Sequence, residues 1–220
     1  MSRKRIIGNG KNNALNGSAT GDDIYGLGGN DTLNGGDGND RLYGGIGNDV
    51  LNGGRQDDQL YGEAGNDRLN GGEGTDSLYG GAGRDTIACG AGNDLLSGGL
   101  DRDSFVFDFA TNVGKDSIRG FEAKIDTIDF ANVRAQNINL IEANQSLAFV
   151  EGSLQPVVTL AFKQGLVTQT EIRLEGFDLG YDGTAVIFYR SPGTPVTDRE
   201  VWAAVNSALN PGKTTTDFDV

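Results

Sequence analysis

The chain has 220 residues, a formal charge of -13, 36 glycines, one cysteine and no histidine. That charge argues against nucleic acid or an anionic membrane surface as a partner and favours cations. Without histidine there is no imidazole base for a catalytic triad and no His-containing zinc site, and one cysteine allows no internal disulfide framework.

The opening MSRKRIIG is basic but is not followed by an apolar stretch, so it does not read as a secretory signal peptide. No apolar run approaches the ~20 residues of a transmembrane helix. From Gly8 the composition changes. Of the 36 glycines, 27 lie between Gly8 and Gly99, while all four prolines follow residue 150. Residues 8–106 carry sixteen acidic and six basic side chains, so most of the negative charge lies in the glycine-rich half.

That half divides without insertion into eleven nonamers, Gly8 to Val106. Position six is Asn13 and then Asp22, Asp31, Asp40, Asp49, Asp58, Asp67, Asp76, Asp85, Asp94 and Asp103. Position eight, the apolar site, runs from Leu15 to Phe105, and positions one, two and four are mostly glycine. Such phase over this length marks a repeat architecture.

Glycine permits the positive φ of a tight turn, and the three residues x-U-x around the apolar position form a short strand. Two nonamers then make one coil of two strands and two turns. Stacked coils bring like positions to ~4.8 Å, with a thin apolar ladder between two parallel sheets. Aspartates 18 apart fall on one edge. One column is Asp22, Asp40, Asp58, Asp76 and Asp94; the other is Asp31, Asp49, Asp67, Asp85 and Asp103. Stacked carboxylates repel, and a hard divalent cation between coils reverses the sign. Calcium suits irregular all-oxygen ligation better than magnesium, and the gaps in two columns admit up to about eight ions.

The units GGDGNDRLY, GGIGNDVLN, GGEGTDSLY and GGAGRDTIA resemble the RTX (repeats-in-toxin) nonapeptide GGxGxDxUx. The resemblance implies a right-handed parallel β-roll with calcium between successive turns. It also implies ligation by the position-six aspartates and by carbonyls of turn glycines, here Gly36, Gly38, Gly45, Gly47, Gly72, Gly74, Gly81 and Gly83. Units one and two, GNGKNNALN and GSATGDDIY, depart from the pattern and read as an N-terminal cap. Gln56 and Asp101 at position four and Glu63 at position two mark irregular turns, where calcium occupancy is in question. Asp57 and Asp101 are either added ligands or solvated charges. Cys89, at a position-one glycine site, reads as a tolerated small residue.

At position nine Tyr25, Tyr43, Tyr61 and Tyr79 alternate with Asn16, Asn34, Asn52 and Asn70. The coil length puts tyrosines on one outer sheet and asparagines on the other. This is either a stabilising ladder or a docking stripe for a glycan or partner.

After Val106 period-two alternation takes over. The expected strands are FVFDF (105–109), DSIRGF, DTIDF, NINLI, SLAFVE, PVVTLAF, TEIRLEGF and TAVIFYR. Thr197 and Glu200 form a capping box for one short helix ending before Pro211. The run DSFVFDFATNVGKDSIRGFEAKIDTIDF resembles the segment that follows the roll in serralysin-type secreted proteases, which covers its open end. The terminus Asp217, Phe218, Asp219 and Val220 resembles the C-terminal signal of type I secretion substrates. The reading is thus an all-β chain: a β-roll over 8–106, a β-rich cap over 107–195, and a helix with a secretion-like tail over 196–220.

Three functions follow. One is a non-catalytic, secreted bacterial calcium-binding module that threads the type I secretion apparatus unfolded and folds on calcium outside the cell. Another is the C-terminal module of a larger secreted protease, lipase or alginate epimerase, in which the roll contacts polysaccharide or a fused catalytic domain. The third is an enzyme in its own right, whose only candidate groups are close carboxylates such as Asp126 and Asp129.

Overall fold

The structure is a computed structural model that describes residues 3–108, 114–122, 125–131, 138–150, 153–164 and 168–175. The strands are β1 (Lys4–Asn9), β2 (Ala14–Asn16), β3 (Asp22–Gly28), β4 (Thr32–Asp37), β5 (Arg41–Ile46) and β6 (Val50–Arg55). There follow β7 (Gln59–Ala64), β8 (Arg68–Glu73), β9 (Ser77–Ala82), β10 (Thr86–Ala91), β11 (Leu95–Leu100) and β12 (Ser104–Asp108). Beyond the repeats come β13 (Lys115–Arg119), β14 (Thr127–Ala131), β15 (Ile138–Val150), β16 (Ser153–Gln164) and β17 (Thr168–Glu175). Among the described residues there is no helix; the helix expected at Thr197–Leu209, the strand TAVIFYR and the tail Asp217–Val220 lie outside them.

The chain winds into a parallel β-solenoid of about six turns. Odd-numbered strands from β1 to β13 stack in one sheet and even-numbered strands from β2 to β14 in the other. Parallel partners lie 18 residues apart: Leu42 pairs with Leu60, and Leu51 with Leu69. The position-eight side chains of both sheets, from Ile24 and Leu33 through Ile87 and Leu96 to Phe105, are fully buried. They form the apolar ladder that the spacing predicts.

Strand length differs from expectation. Most repeat strands run six residues, from position seven through position three of the next unit, as in Arg41–Ile46. The glycine pair therefore continues the strand, and only positions four to six turn. Positive φ falls at two positions of the nonamer, two and four, as at Gly36 (108°) and Gly38 (117°). Four other residues hold the same conformation: Leu27, Gln56, Glu63 and Asp101, with φ between 74 and 79°. The irregular turns thus keep the repeat's backbone, at roughly 1–2 kcal/mol of strain each.

The basic opening contributes a strand. β1 pairs with β3 in the repeat register, Ile6 opposite Ile24, so the winding starts at Lys4. At the other end, β13 and β14 extend the two sheets past Val106. β17 pairs parallel with β13 and begins an antiparallel meander with β16 and β15 that covers this edge. NINLI and SLAFVE, expected as two strands, are one; the polar EANQ between them does not break pairing, and the irregularity is a register shift between Leu140 and Glu142.

Candidate metal centre

Position six sits two residues before the apolar position, so period-two alternation points both side chains inward. The ten position-six aspartates are accordingly between 0 and 3% exposed. They lie inside the turn, in the two columns that the spacing of 18 predicts.

A backbone ladder holds them there. The Asp22 N–H donates to Asp40 Oδ1 at 2.6 Å, the Asp40 N–H to Asp58 Oδ1 at 2.7 Å, and the Asp58 N–H to Asp76 Oδ1 at 2.8 Å. The second column repeats this from Asp31 to Asp103. Each carboxylate but that of Asp22 thus ties its coil to the preceding one by a charge-assisted bond. Sequence reasoning saw repulsion offset by a cation in these columns and missed the bond.

The other oxygen of each carboxylate is different. Oδ2 of Asp31, Asp40, Asp49, Asp58, Asp67, Asp76, Asp85, Asp94 and Asp103 is buried with no hydrogen-bond partner. In Asp22 the roles exchange: Ser18 satisfies Oδ2 through its N–H and hydroxyl, and Oδ1 is left over. A buried carboxylate oxygen without a donor costs several kcal/mol in ionised form. Ten in two files call either for protons or for cations.

Burial, the largest cause, raises eight of these carboxyls, those of Asp40, Asp49, Asp58, Asp67, Asp76, Asp85, Asp94 and Asp103, above their ordinary 3.8. Asp58, Asp67, Asp94 and Asp103 reach about 7, with neighbouring carboxylates adding to the rise. Asp40 and Asp76 reach about 6, while Asp49 and Asp85 also move up.

The glycines complete an all-oxygen lining. A Cβ on Gly53 would lie against Asp58 Oδ2 and 2.6 Å from the Gly71 carbonyl oxygen. Position one is bare in ten of the eleven units, where the position-six side chain folds over it. At positions two and four, carbonyl oxygens of one coil face the glycine of the next: Gly36 O faces Gly54, and Gly29 O faces Gly47. The donors around a regular gap are carboxylate and peptide oxygens, the set that a hard cation such as calcium takes.

Two rungs escaped the sequence reading. The Asp94 N–H donates to Asp116 Oδ1 and the Asp103 N–H to Asp126 Oδ1, both at 3.0 Å. Asp116 and Asp126 are therefore the next members of the two columns, though 22 and 23 residues on. DSI (116–118) and DTI (126–128) carry the D-x-U spacing that could have revealed them. Of the two close carboxylates Asp126 and Asp129, Asp126 is a buried rung, and Asp129 Oδ2 accepts from the Ser104 hydroxyl at 2.6 Å.

Outer positions add ladders. Asn48 N–H donates to Asn30 Oδ1, Asn66 N–H to Asn48 Oδ1 and Arg84 N–H to Asn66 Oδ1 along one edge. On the opposite edge Asp57 Oδ1 takes the same part for the Thr75 N–H. Tyr25, Tyr43, Tyr61 and Tyr79 stack with centroids 4.9, 4.9 and 5.1 Å apart and nearly parallel planes. On the opposite sheet the Asn52 and Asn34 side-chain amides donate to Asn34 and Asn16.

The model of the RTX calcium-binding nonapeptide repeat matches in four copies, over residues 5–33, 16–51, 43–78 and 70–105. No curated protein matches the chain. Among solved structures, the extracellular lipase LipA from Serratia marcescens is similar at 16% identity and a TM-score of 0.30, over 86% of this chain. This chain spans 40% of the lipase's length. The AlgE6R3 subunit of the Azotobacter vinelandii mannuronan C5-epimerase is similar at 23% identity and a TM-score of 0.22, over 68% of this chain and 90% of that one. Residues 5–105 are a run of RTX calcium-binding nonapeptide repeats.

Proposed function

We propose that the chain is a secreted, non-catalytic calcium-binding module whose repeats fold when calcium fills the two columns. The observation that carries this reading is the double file of buried, partnerless carboxylate oxygens in a repeat whose family binds calcium. The ligands are the position-six aspartates Asp22 to Asp103, with carbonyls of the turn glycines Gly36, Gly38, Gly45, Gly47, Gly72, Gly74, Gly81 and Gly83. Up to about eight ions fill the gaps. Bound calcium supplies the positive charge that these oxygens lack.

The chain's own residues set the switch. The carboxylates repel one another in the metal-free chain, and the glycine turns carry a large ordering cost. The apolar ladder is one side chain deep. The unfolded form is therefore favoured where calcium is scarce, as passage through a type I secretion channel requires. Folding follows where calcium reaches the roughly millimolar range of extracellular sites. RTX repeat proteins are typically secreted, and no helix among the described residues is long and apolar enough to cross a membrane. The same module would serve behind a catalytic domain of a larger secreted enzyme.

Circular dichroism of the purified chain in excess chelator and in millimolar calcium tests the switch. Strand signal should appear only with calcium. Equal strand content in both conditions at pH 7.5 to 8 would sink the proposal.

A further inference from the structure

Unit ten departs from the repeat at the place where departure has a chemical consequence. Its position-one residue is Cys89, in the file of Gly35, Gly53 and Gly71. At those three glycines a Cβ would press on the position-six carboxylate of the same unit. A side chain on this position must enter the carboxylate gap, and the thiol does: Cys89 is 0% exposed, and its Sγ lies 3.9 Å from Asp116 Oδ2.

Three ligating groups meet here. One ligand atom each of Cys89, Asp94 and Asp116 lies within 4.8 Å of the others, and all three residues are buried. The Asp94 Oδ2, on a side chain 3% exposed, has no hydrogen-bond partner. Asp116 Oδ1 is anchored by the Asp94 N–H at 3.0 Å, which fixes the two carboxylates across one coil spacing. Every other position-one residue from Gly8 to Gly98 is glycine, so a sulfur donor enters the two columns at this gap alone.

We propose that Cys89, Asp94 and Asp116 form a further cation site that prefers a thiophilic divalent ion, of the zinc or cadmium class, over calcium. It lies in the gap between Asp94 and Asp116 and shares Asp94 with the calcium column. Thiolate selects softer metals, whereas calcium takes oxygen. One sulfur and two carboxylate oxygens give three protein ligands, and water completes a tetrahedron. Metal–sulfur and metal–oxygen bonds of about 2.3 and 2.0 Å place such donors roughly 3.5 Å apart, so a small rotation of the side chains closes the site. As the metal–sulfur bond forms, the thiol proton leaves to solvent. Burial and the neighbouring Asp116 hold the thiol's pKa well above its ordinary value, so the metal-free site keeps that proton.

This inference goes beyond the calcium reading and is tested with calcium saturating, so that failure of one leaves the other standing. Cadmium chloride is titrated into the full chain in millimolar calcium, and the ultraviolet thiolate-to-cadmium band is followed. The expected result is one equivalent bound, displaced by zinc chloride and not by further calcium. Asp116→Asn keeps the amide acceptor for the Asp94 N–H yet removes a charged ligand, and should weaken cadmium at least tenfold with the circular dichroism unchanged. Cys89→Ser, read by zinc calorimetry, should lose a similar factor. Zinc should also slow alkylation of the wild-type thiol. Absence of the band, or equal cadmium affinity in wild type and Asp116→Asn, overturns the site and makes Cys89 a packing residue. Should Asp116→Asn fail to fold, unchanged zinc affinity in Cys89→Ser has the same force.

Discussion

The rungs inside the repeats and the Asp126 rung beyond them share one hydrogen bond and differ in the other oxygen. Asp58 and Asp67 each accept a backbone N–H on Oδ1 and have nothing on Oδ2. Asp126 accepts the Asp103 N–H on Oδ1 and the Glu122 N–H on Oδ2 at 2.9 Å. The difference lies in the turn. A three-residue glycine turn brings carbonyls toward the gap and no donor to the second oxygen; the longer turn before Asp126 supplies one. Where the protein satisfies its own carboxylate, the rung is structural. Where it does not, the rung is open to a cation.

The largest expected effect comes from destroying an open rung. Gly53→Ala sets a methyl against Asp58 Oδ2 and the Gly71 carbonyl, neither of which has room to move. It should cost several kcal/mol and raise the calcium midpoint of folding by more than tenfold, read by circular dichroism. Asp58→Asn together with Asp67→Asn keeps an acceptor for both backbone bonds, and should raise that midpoint by about tenfold. Asp126→Asn, on a rung the protein already satisfies, should move it by less than twofold.

Protons offer a second way to sharpen the contrast. The open carboxyls have folded-state values up to about 7 against an ordinary 3.8, so the folded, metal-free roll binds more protons than the unfolded chain. Its stability is therefore greatest below about pH 4 and is lost as pH rises to about 7. In excess chelator, strand content should increase as pH falls from 8 toward 5. With calcium present the sign reverses, because protons compete for the same oxygens, and the calcium midpoint should rise over that range. A chelated chain that gains no strand on acidification would contradict the burial of these groups.

Smaller effects come from the backbone and the outer faces. Gln56→Gly and Glu63→Gly relieve left-handed strain at φ of 75° and 74°, and each should stabilise the calcium form by about 1 kcal/mol in thermal melts. Tyr43→Ser with Tyr61→Ser breaks the stack, at about 1–2 kcal/mol in total. Unchanged stability with lost binding to a polysaccharide panel would instead favour the docking stripe.

The period of nine made the architecture legible. A strictly phased Leu42, Leu51 and Leu60 admits a stacked ladder and little else, and the i to i+18 pairing of the strands follows from it. The two aspartate files were legible for the same reason. Their burial was not, because the sequence reading attached Asp to the turn when its spacing from Leu42 already placed Asp40 on the inward side. Nor did residue identity disclose that Leu27, Gln56, Glu63 and Asp101 keep glycine's backbone. There the pairing of neighbouring coils overrides local preference. Asp116 and Asp126 were hidden by their longer turns, since a search in steps of nine stops at the first insertion.

The central claim is that the unsatisfied oxygens are the calcium ligands, and equilibrium dialysis against radiolabelled calcium tests it most directly. Wild type should bind several ions per chain, up to about eight, with the number falling in Asp58→Asn and Asp67→Asn and holding in Asp126→Asn and Asp57→Asn. Equal stoichiometry in wild type and in the Asp58→Asn, Asp67→Asn double variant would place the ions elsewhere and contradict the account.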